Sequence, residues 1–356
     1  MSYIIGFIIF ICVLFIYMHI VHQLKRSEDL EIYEMDYNNN IQLQEICDVK
    51  QPVLFEFEPV LPELFQNSDP STISSHYGEE IVLIKDTRDY SKVVLDSSPD
   101  KSVDSVPIKY GIGYKLFLND TNSHYYTENN QLFLEETDLV KKIQTADEFL
   151  KPTFTAYSKY DFMSGSAKTC TPLRYHLDYR QYYIVTSGKI NVKMTPWKSC
   201  KYLSPIKDYE NYEFRSTFNP WITPSPEMEK VRFLEFTVEK GSVLYIPPYW
   251  WYSIQFTDKT AIYAITYNSA MNIVTYSPQW TLYFLQQQNI KQKVTKTIDI
   301  SQTSIDNTVS SNQIQLESTS NEIVVEGSIR VTDSDVLYNN SSYQANPHSV
   351  VLSNTL

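Results

Sequence analysis

The sequence predicts a mostly β protein with flanking helices, preceded by one apolar helix. Between Gln51 and Tyr267, short runs rich in β-branched and aromatic residues alternate with turn signals, a pattern that favours a closed or sandwiched antiparallel fold. Lys189 to Thr195 alternates strictly, with Ile190, Val192 and Met194 on one face and Lys189, Asn191 and Lys193 on the other, as a half-buried strand does. Tyr3 to Val21 is nineteen residues without a formal charge.

That first stretch is long enough to span a bilayer as a helix. No basic region precedes it and no small-residue cleavage site follows, so a cleaved leader fits poorly; the competing reading is a buried core helix. Lys25 and Arg26 follow directly, and by the positive-inside rule the rest of the chain is expected on the cytosolic face, or inside a virion membrane. The expected organisation is a single-pass anchor over 1–22, a juxtamembrane spacer over 23–45, one domain over 46–293, and a mostly disordered polar tail over 294–356 in which 322–332 could pair as a strand.

Within the domain, Gln51 to Phe57 and Glu80 to Lys85 read as strands, and Asp100 to Pro107 as a polar loop. Tyr110 to Phe117 is strand-like, and Glu136 to Leu150 has helical spacing. Cys200 to Lys230 reads as a long connection rich in Pro and Tyr. Val231 to Val238, Val243 to Ile246, Trp251 to Phe256 and Thr260 to Tyr267 follow as strands with short turns. Ser277-Pro278 is an N-cap with a first-turn proline, so a last helix is expected from Pro278 to Lys293, which could serve a homodimer.

A net charge of −12 disfavours nucleic acid as a partner. The four cysteines contain no CxxC pair, which removes the usual zinc spacing. Cys170 and Cys200 would pair only in an oxidising compartment, and free thiols are expected. The abundance of Asn, Ile, Tyr and Lys suggests AT-rich coding, as in protists or large DNA viruses.

Two blocks carry a family resemblance. Gly241 to Phe256 reads GSVLYIPPYWWYSIQF: a turn, a strand, a Pro247-Pro248 kink, then three large aromatics from Trp250. Thr171 to Trp197 reads TPLRYHLDYRQYYIVTSGKINVKMTPW. Together they resemble the JmjC-like cupins, the family of iron(II)/2-oxoglutarate hydroxylases that includes the factor-inhibiting asparaginyl hydroxylases. The resemblance covers Gln51 to Asn272 and implies a double-stranded β-helix, or jelly-roll cupin, of a membrane-anchored type found in large DNA viruses.

The family's residue after the tryptophan pair is the distal histidine of the iron site; here it is Tyr252. Among six histidines only His176 lies on an expected core strand, with Asp178 at HxD spacing. Matching Thr171 and Lys189 to the family's 2-oxoglutarate residues without a gap puts the ligand positions on Arg174 and His176. A two-residue shift, about 7 Å along the strand, instead puts them on His176 and Asp178. The first register places a guanidinium at the metal position; the second allows a weak His176–Asp178–Tyr252 site.

Blander readings stand beside these. His176 would be a core histidine bonded to a tyrosine, Asp178 a salt-bridge partner of Arg174 or Arg180, and Lys189 a solvated residue. The resemblance thus leads to a cupin-like domain with a lost iron site, without cofactor, serving an unknown protein partner as a binding or scaffold protein. Its rivals are a protein hydroxylase with iron(II), 2-oxoglutarate and an altered triad, and a metal-free sugar- or nucleotide-binding cupin.

Overall fold

A computed structural model describes residues 2–95, 102–222, 226 and 228–288. The expected tail, the strand at 322–332 and the end of the helix running to Lys293 lie outside the described residues, as do 100 and 101 of the expected polar loop. The strands are β1 (Tyr33–Met35), β2 (Val53–Glu56), β3 (Ile81–Asp86), β4 (Val106–Lys109), β5 (Tyr125–Thr127), β6 (Thr155–Gly165), β7 (Arg174–Tyr175), β8 (Arg180–Ser187), β9 (Lys189–Thr195), β10 (Pro205–Asp208), β11 (Glu213–Ser216), β12 (Leu234–Glu239), β13 (Ser242–Ile246), β14 (Trp251–Phe256) and β15 (Ala261–Ser269).

They form a nine-stranded sheet in the order β1-β2-β13-β8-β15-β6-β5-β3-β4 and a six-stranded sheet in the order β10-β11-β7-β14-β9-β12. Pairing is antiparallel except between β1 and β2. The two sheets share one apolar interior. Met163, Tyr183, Val185, Leu244, Ile246 and Ile262 come from the larger sheet; Ile190, Val192, Met194, Ile254 and Phe256 come from the smaller. The larger sheet's other face, with Tyr182, Ile184, Tyr245 and Tyr263, packs against Leu43, Leu64, Tyr110, Leu134 and Ile143 of the flanking helices. Each strand can feed two cores because its side chains alternate between faces.

Turns close where the sequence places them. Gly188 joins β8 to β9 at φ +66, and a Cβ there would stand 2.9 Å from the Thr260 hydroxyl; Gly241 joins β12 to β13 at φ +94. Pro247-Pro248 ends β13, after which Tyr249 adopts φ +67 and donates its N–H to the His176 carbonyl at 3.0 Å.

Several expectations are corrected. Tyr110 to Phe117 lies within a helix, Tyr110–Asn119. Its buried residues are Tyr110, Gly113, Leu116 and Phe117, a helical spacing hidden behind a superficial alternation. The glycines serve close packing: a Cβ on Gly113 would meet Ile84 at 2.8 Å, and one on Gly111 the Gly78 carbonyl at 3.1 Å.

The span Glu136 to Leu150 is not one helix. Gln131–Glu136, Leu139–Gln144 and Asp147–Leu150 follow one another, the first break being made by Asp138 at φ 58. The long connection Cys200 to Lys230 contains the β10–β11 hairpin. An additional helix, Ala270–Thr275, precedes Ser277–Gln287.

The spacer is part of the fold. Tyr33–Met35 pairs with β2 at the sheet edge, and the helix Asn40–Cys47, capped by Asn39, buries Leu43 and Cys47. Helix Ser2–Leu24 contains an apolar stretch, Tyr3–Leu24, long and apolar enough to cross a membrane, and its most apolar 18 residues are all unburied.

Candidate functional site

The interior of the sandwich is polar at one level, and Arg174 stands at its centre. Arg174 lies on β7, opposite Tyr252 of β14. Its Nη1 and Nη2 donate to the two carboxylate oxygens of Glu128 at 2.9 and 2.6 Å, and Nη1 also donates to Glu213 at 3.1 Å. Lys85, on β3, donates to Glu128 at 2.8 Å. Arg215 stands 3.6 Å from Glu213 and 3.3 Å from Asp208. Three cations and three carboxylates, all buried or nearly so, thus meet inside the domain. The forked guanidinium suits this role because it can engage two carboxylates at once.

Tyrosines enclose the ions. Tyr90 and Tyr126 share a hydrogen bond of 2.8 Å, Tyr183 and Tyr252 one of 2.9 Å, and the Arg174 guanidinium stands 5.7 Å from the Tyr252 ring. Burial alone would raise the carboxyl of Glu128, but Arg174 and Lys85 outweigh it and hold the group far below the carboxylate range. Burial likewise opposes the charge on Lys85, and Glu128 and Glu213 reverse that, raising it. Tyr252 is raised by burial, with Arg174 pulling the other way, so it stays a phenol.

The six residues singled out in the sequence are only partly gathered. Arg174, His176 and Tyr252 do face one another, with 6.1 Å between the His176 and Tyr252 rings. Nε2 of His176 donates to the Ile246 carbonyl at 3.0 Å, not to a tyrosine, leaving Nδ1 without a hydrogen-bond partner and 3.8 Å from Asp178. Asp178 turns toward the rim and accepts from Asn268 at 2.8 Å; it pairs with neither arginine expected for it, and Arg180 pairs with Asp48. Thr171 is buried, its hydroxyl accepting the Ile254 N–H at 3.0 Å and its carbonyl accepting from Ser253.

Lys189 is not in a pocket. It is 51% exposed and stands 4.0 Å from Glu239 on the neighbouring strand. The alternation that buries Ile190 turns Lys189 outward. The four cysteines are free thiols.

Iron(II) and 2-oxoglutarate do not fit these residues. The Tyr252 hydroxyl shares its hydrogen bond with Tyr183, His176 Nε2 donates to the Ile246 carbonyl and Asp178 accepts from Asn268, while the Arg174 guanidinium lies 5.7 Å from the Tyr252 ring. Among the described residues, no group of three or more His, Cys, Asp or Glu is placed to hold a metal ion. Lys189, matched in the sequence to the family's cosubstrate lysine, lies on the outside of the sandwich.

The family model for a cupin-like domain matches residues 95–273, half of the chain. The chain belongs to the cupin-like domain family. The match starts later than the Gln51 expected and ends close to Asn272; β2 and β3 nevertheless belong to the same sheet. No curated protein matches the chain.

Most of this cupin's buried ionic group was invisible in the sequence. Glu128 and Arg174 are 46 residues apart, and Arg174 and Glu213 are 39 apart. No local pattern links them. The sole signal was a short alternation, Glu213-Phe214-Arg215-Ser216, in which the two charged residues share one face.

His176 itself makes a prediction. Burial drives its imidazole down to about 4 against an ordinary 6.5, and Asp178 counteracts this only in part. Between those values the unfolded chain binds the extra proton, so stability is full above pH 6.5 and falls as pH drops toward 4. At about 1.4 kcal/mol per unit this amounts to about 3 kcal/mol. His176→Gln is expected to flatten thermal stability across that window; an unchanged slope would assign it to another group.

Proposed function

We propose that this protein is a membrane-anchored, cupin-like binding or scaffold protein without catalytic activity, in which an arginine replaces the metal as the organising centre. One observation carries the reading: the Arg174 guanidinium, held by Glu128 and Glu213, stands opposite Tyr252 and 5.7 Å from its ring, two residues before His176. A facial iron site needs neutral donors and a carboxylate around an open position. A fixed cation in that position repels a second cation and consumes the carboxylates nearby. The degenerate iron site is, on this reading, a site rebuilt as a structural ion network.

The anchor reading is supported by the length and apolar character of Tyr3–Leu24, and the cytosolic or virion-interior placement by Lys25 and Arg26 after it. A viral source has only the coding bias behind it.

The test is anaerobic calorimetry of the full chain with iron(II), with and without 2-oxoglutarate. No saturable binding is expected, and Tyr252→His should stay silent too, because Arg174 remains. Stoichiometric binding by the unmodified protein, lost in His176→Ala, would overturn the reading in favour of a hydroxylase with an altered triad.

A further inference from the structure

The apolar N-terminal helix touches the domain at one end of the sandwich. Tyr276 donates its hydroxyl to the Gln23 carbonyl at 3.4 Å, and Gln23 is buried. The Arg26 guanidinium lies 3.9 Å from the Tyr249 ring centre and 4.6 Å from that of Trp197. Tyr276 links Ala270–Thr275 to Ser277–Gln287, the helices that leave β15 at this end. Here Ser269 pairs with Thr155, which places the loop residue Phe154 beside the start of the first helix.

This end presents large apolar side chains to the outside. Phe154 is 92% exposed, and its φ of 61, unusual for a bulky residue, belongs to a left-handed backbone. Ile273, Val274, Leu282, Phe284 and Leu285 are exposed on the two helices. From Thr260 to Ile290 the sequence has no Asp, Glu, Lys or Arg. Helices that face water ordinarily carry charge on the outer face, and an uncovered apolar group of this kind marks a contact surface.

We propose that this end of the sandwich docks on the lipid bilayer, with Phe154 and the helices Ala270–Thr275 and Ser277–Gln287 inserted at the headgroup–acyl boundary. The proposal rests on the reading of Tyr3–Leu24 as membrane-crossing. It commits to lipid because the apolar face is continuous with the foot of that helix, so a bilayer around the helix already lies against it. Interfacial helices with aromatic and aliphatic residues on one face behave in this way. Exposed Lys25, at the same foot, would meet anionic headgroups. The domain would then be held by the membrane at two points and given a fixed tilt.

The test uses the full chain in bilayers whose acyl chains carry bromine near the glycerol, which quenches nearby tryptophan. Phe154→Trp and Phe284→Trp add one reporter each to the proposed face. Lys240→Trp adds one to the β12–β13 turn, at the opposite end because β13 runs against β8 from Gln181 at Ile246 to Ile184 at Val243. Phe10→Trp reports the anchor. Each variant is first matched to the parent in unfolding midpoint.

Phe154→Trp and Phe284→Trp are expected to lose most of their added emission and Lys240→Trp none. Added emission at 154 and 284 as bright as at 240, with Phe10→Trp quenched, would overturn the docking while leaving the anchor in place. A bright Phe10→Trp would remove the anchor and the docking together. Blue-shifted but unquenched emission at 284 that fades on dilution into excess lipid would assign the face to a second copy, and would also overturn the proposal.

Discussion

Arg174→Ala is expected to destabilise the domain by about 3–5 kcal/mol, the cost of leaving a buried charge without its partner. Lys85 still reaches Glu128 at 2.8 Å, which favours the lower part of that range. Glu213, however, would keep only longer contacts, 3.6 Å to Arg215 and 4.0 Å to Lys85. The loss also depends on pH. The folded carboxyl of Glu128 lies below its unfolded value, so its stabilisation is present above that unfolded value and is lost as pH falls through the folded one.

The deficit of the variant is therefore expected to be largest at neutral pH and to shrink in acid, where the parent loses the same ion pair. Urea unfolding followed by tryptophan emission reads this directly. The pair Arg174→Met with Glu128→Gln should recover part of the loss, because two cations then face two carboxylates, although Lys85 keeps only its 4.0 Å contact to Glu213. A single-variant loss under about 1 kcal/mol would place Arg174 among the surface ion pairs and remove the structural reading of the network.

Lys50→Met is expected to act in the opposite direction, stabilising the fold by about 1–4 kcal/mol. Lys50 is fully buried, its Nζ has no hydrogen-bond partner, and the Tyr179 ring lies 4.9 Å away. Burial, with Arg180 adding to it, lowers the amine from 10.5 to about 7. Between those values the unfolded chain holds the extra proton, so parental stability should rise as pH climbs from about 7 toward 10.5.

Methionine has a similar length and no charge, and should both add stability at pH 7 and remove that slope. The left-handed backbone, φ 65, is common to both residues, and the Lys50 carbonyl keeps the Trp250 indole N–H at 3.1 Å. A destabilised variant would mean that the ammonium is held by Asp48 and the Tyr179 face strongly enough to offset its desolvation.

The strands legible in the sequence were those with one apolar face. β9 and β14 coincide with the runs Lys189 to Thr195 and Trp251 to Phe256, and β13 is longer by one residue, because alternation and the Gly188 and Gly241 turns mark the same strand ends. The misread segments broke the link between pattern and burial. Tyr110–Asn119 alternates by accident and is packed through glycine. β10 and β11 bury Asp208, Glu213 and Arg215, so they look like a polar connection. The spacer reads as acidic and irregular, yet β1 needs only three residues of backbone pairing against β2 to join the sheet.

The site divides in the same way. The absence of a histidine at 252, the HxD spacing at His176 and the choice between two registers could all be stated from the residues alone. Only the tertiary structure decided that Arg174 points inward opposite Tyr252 while Lys189 points out, because strand direction and face are properties of a paired register. Only the tertiary structure brought Lys85, Glu128 and Glu213 to that guanidinium. Apolar periodicity is a local quantity that a strand carries in its own sequence. The partner of a buried charge is a non-local one, selected by which strands the fold lays side by side.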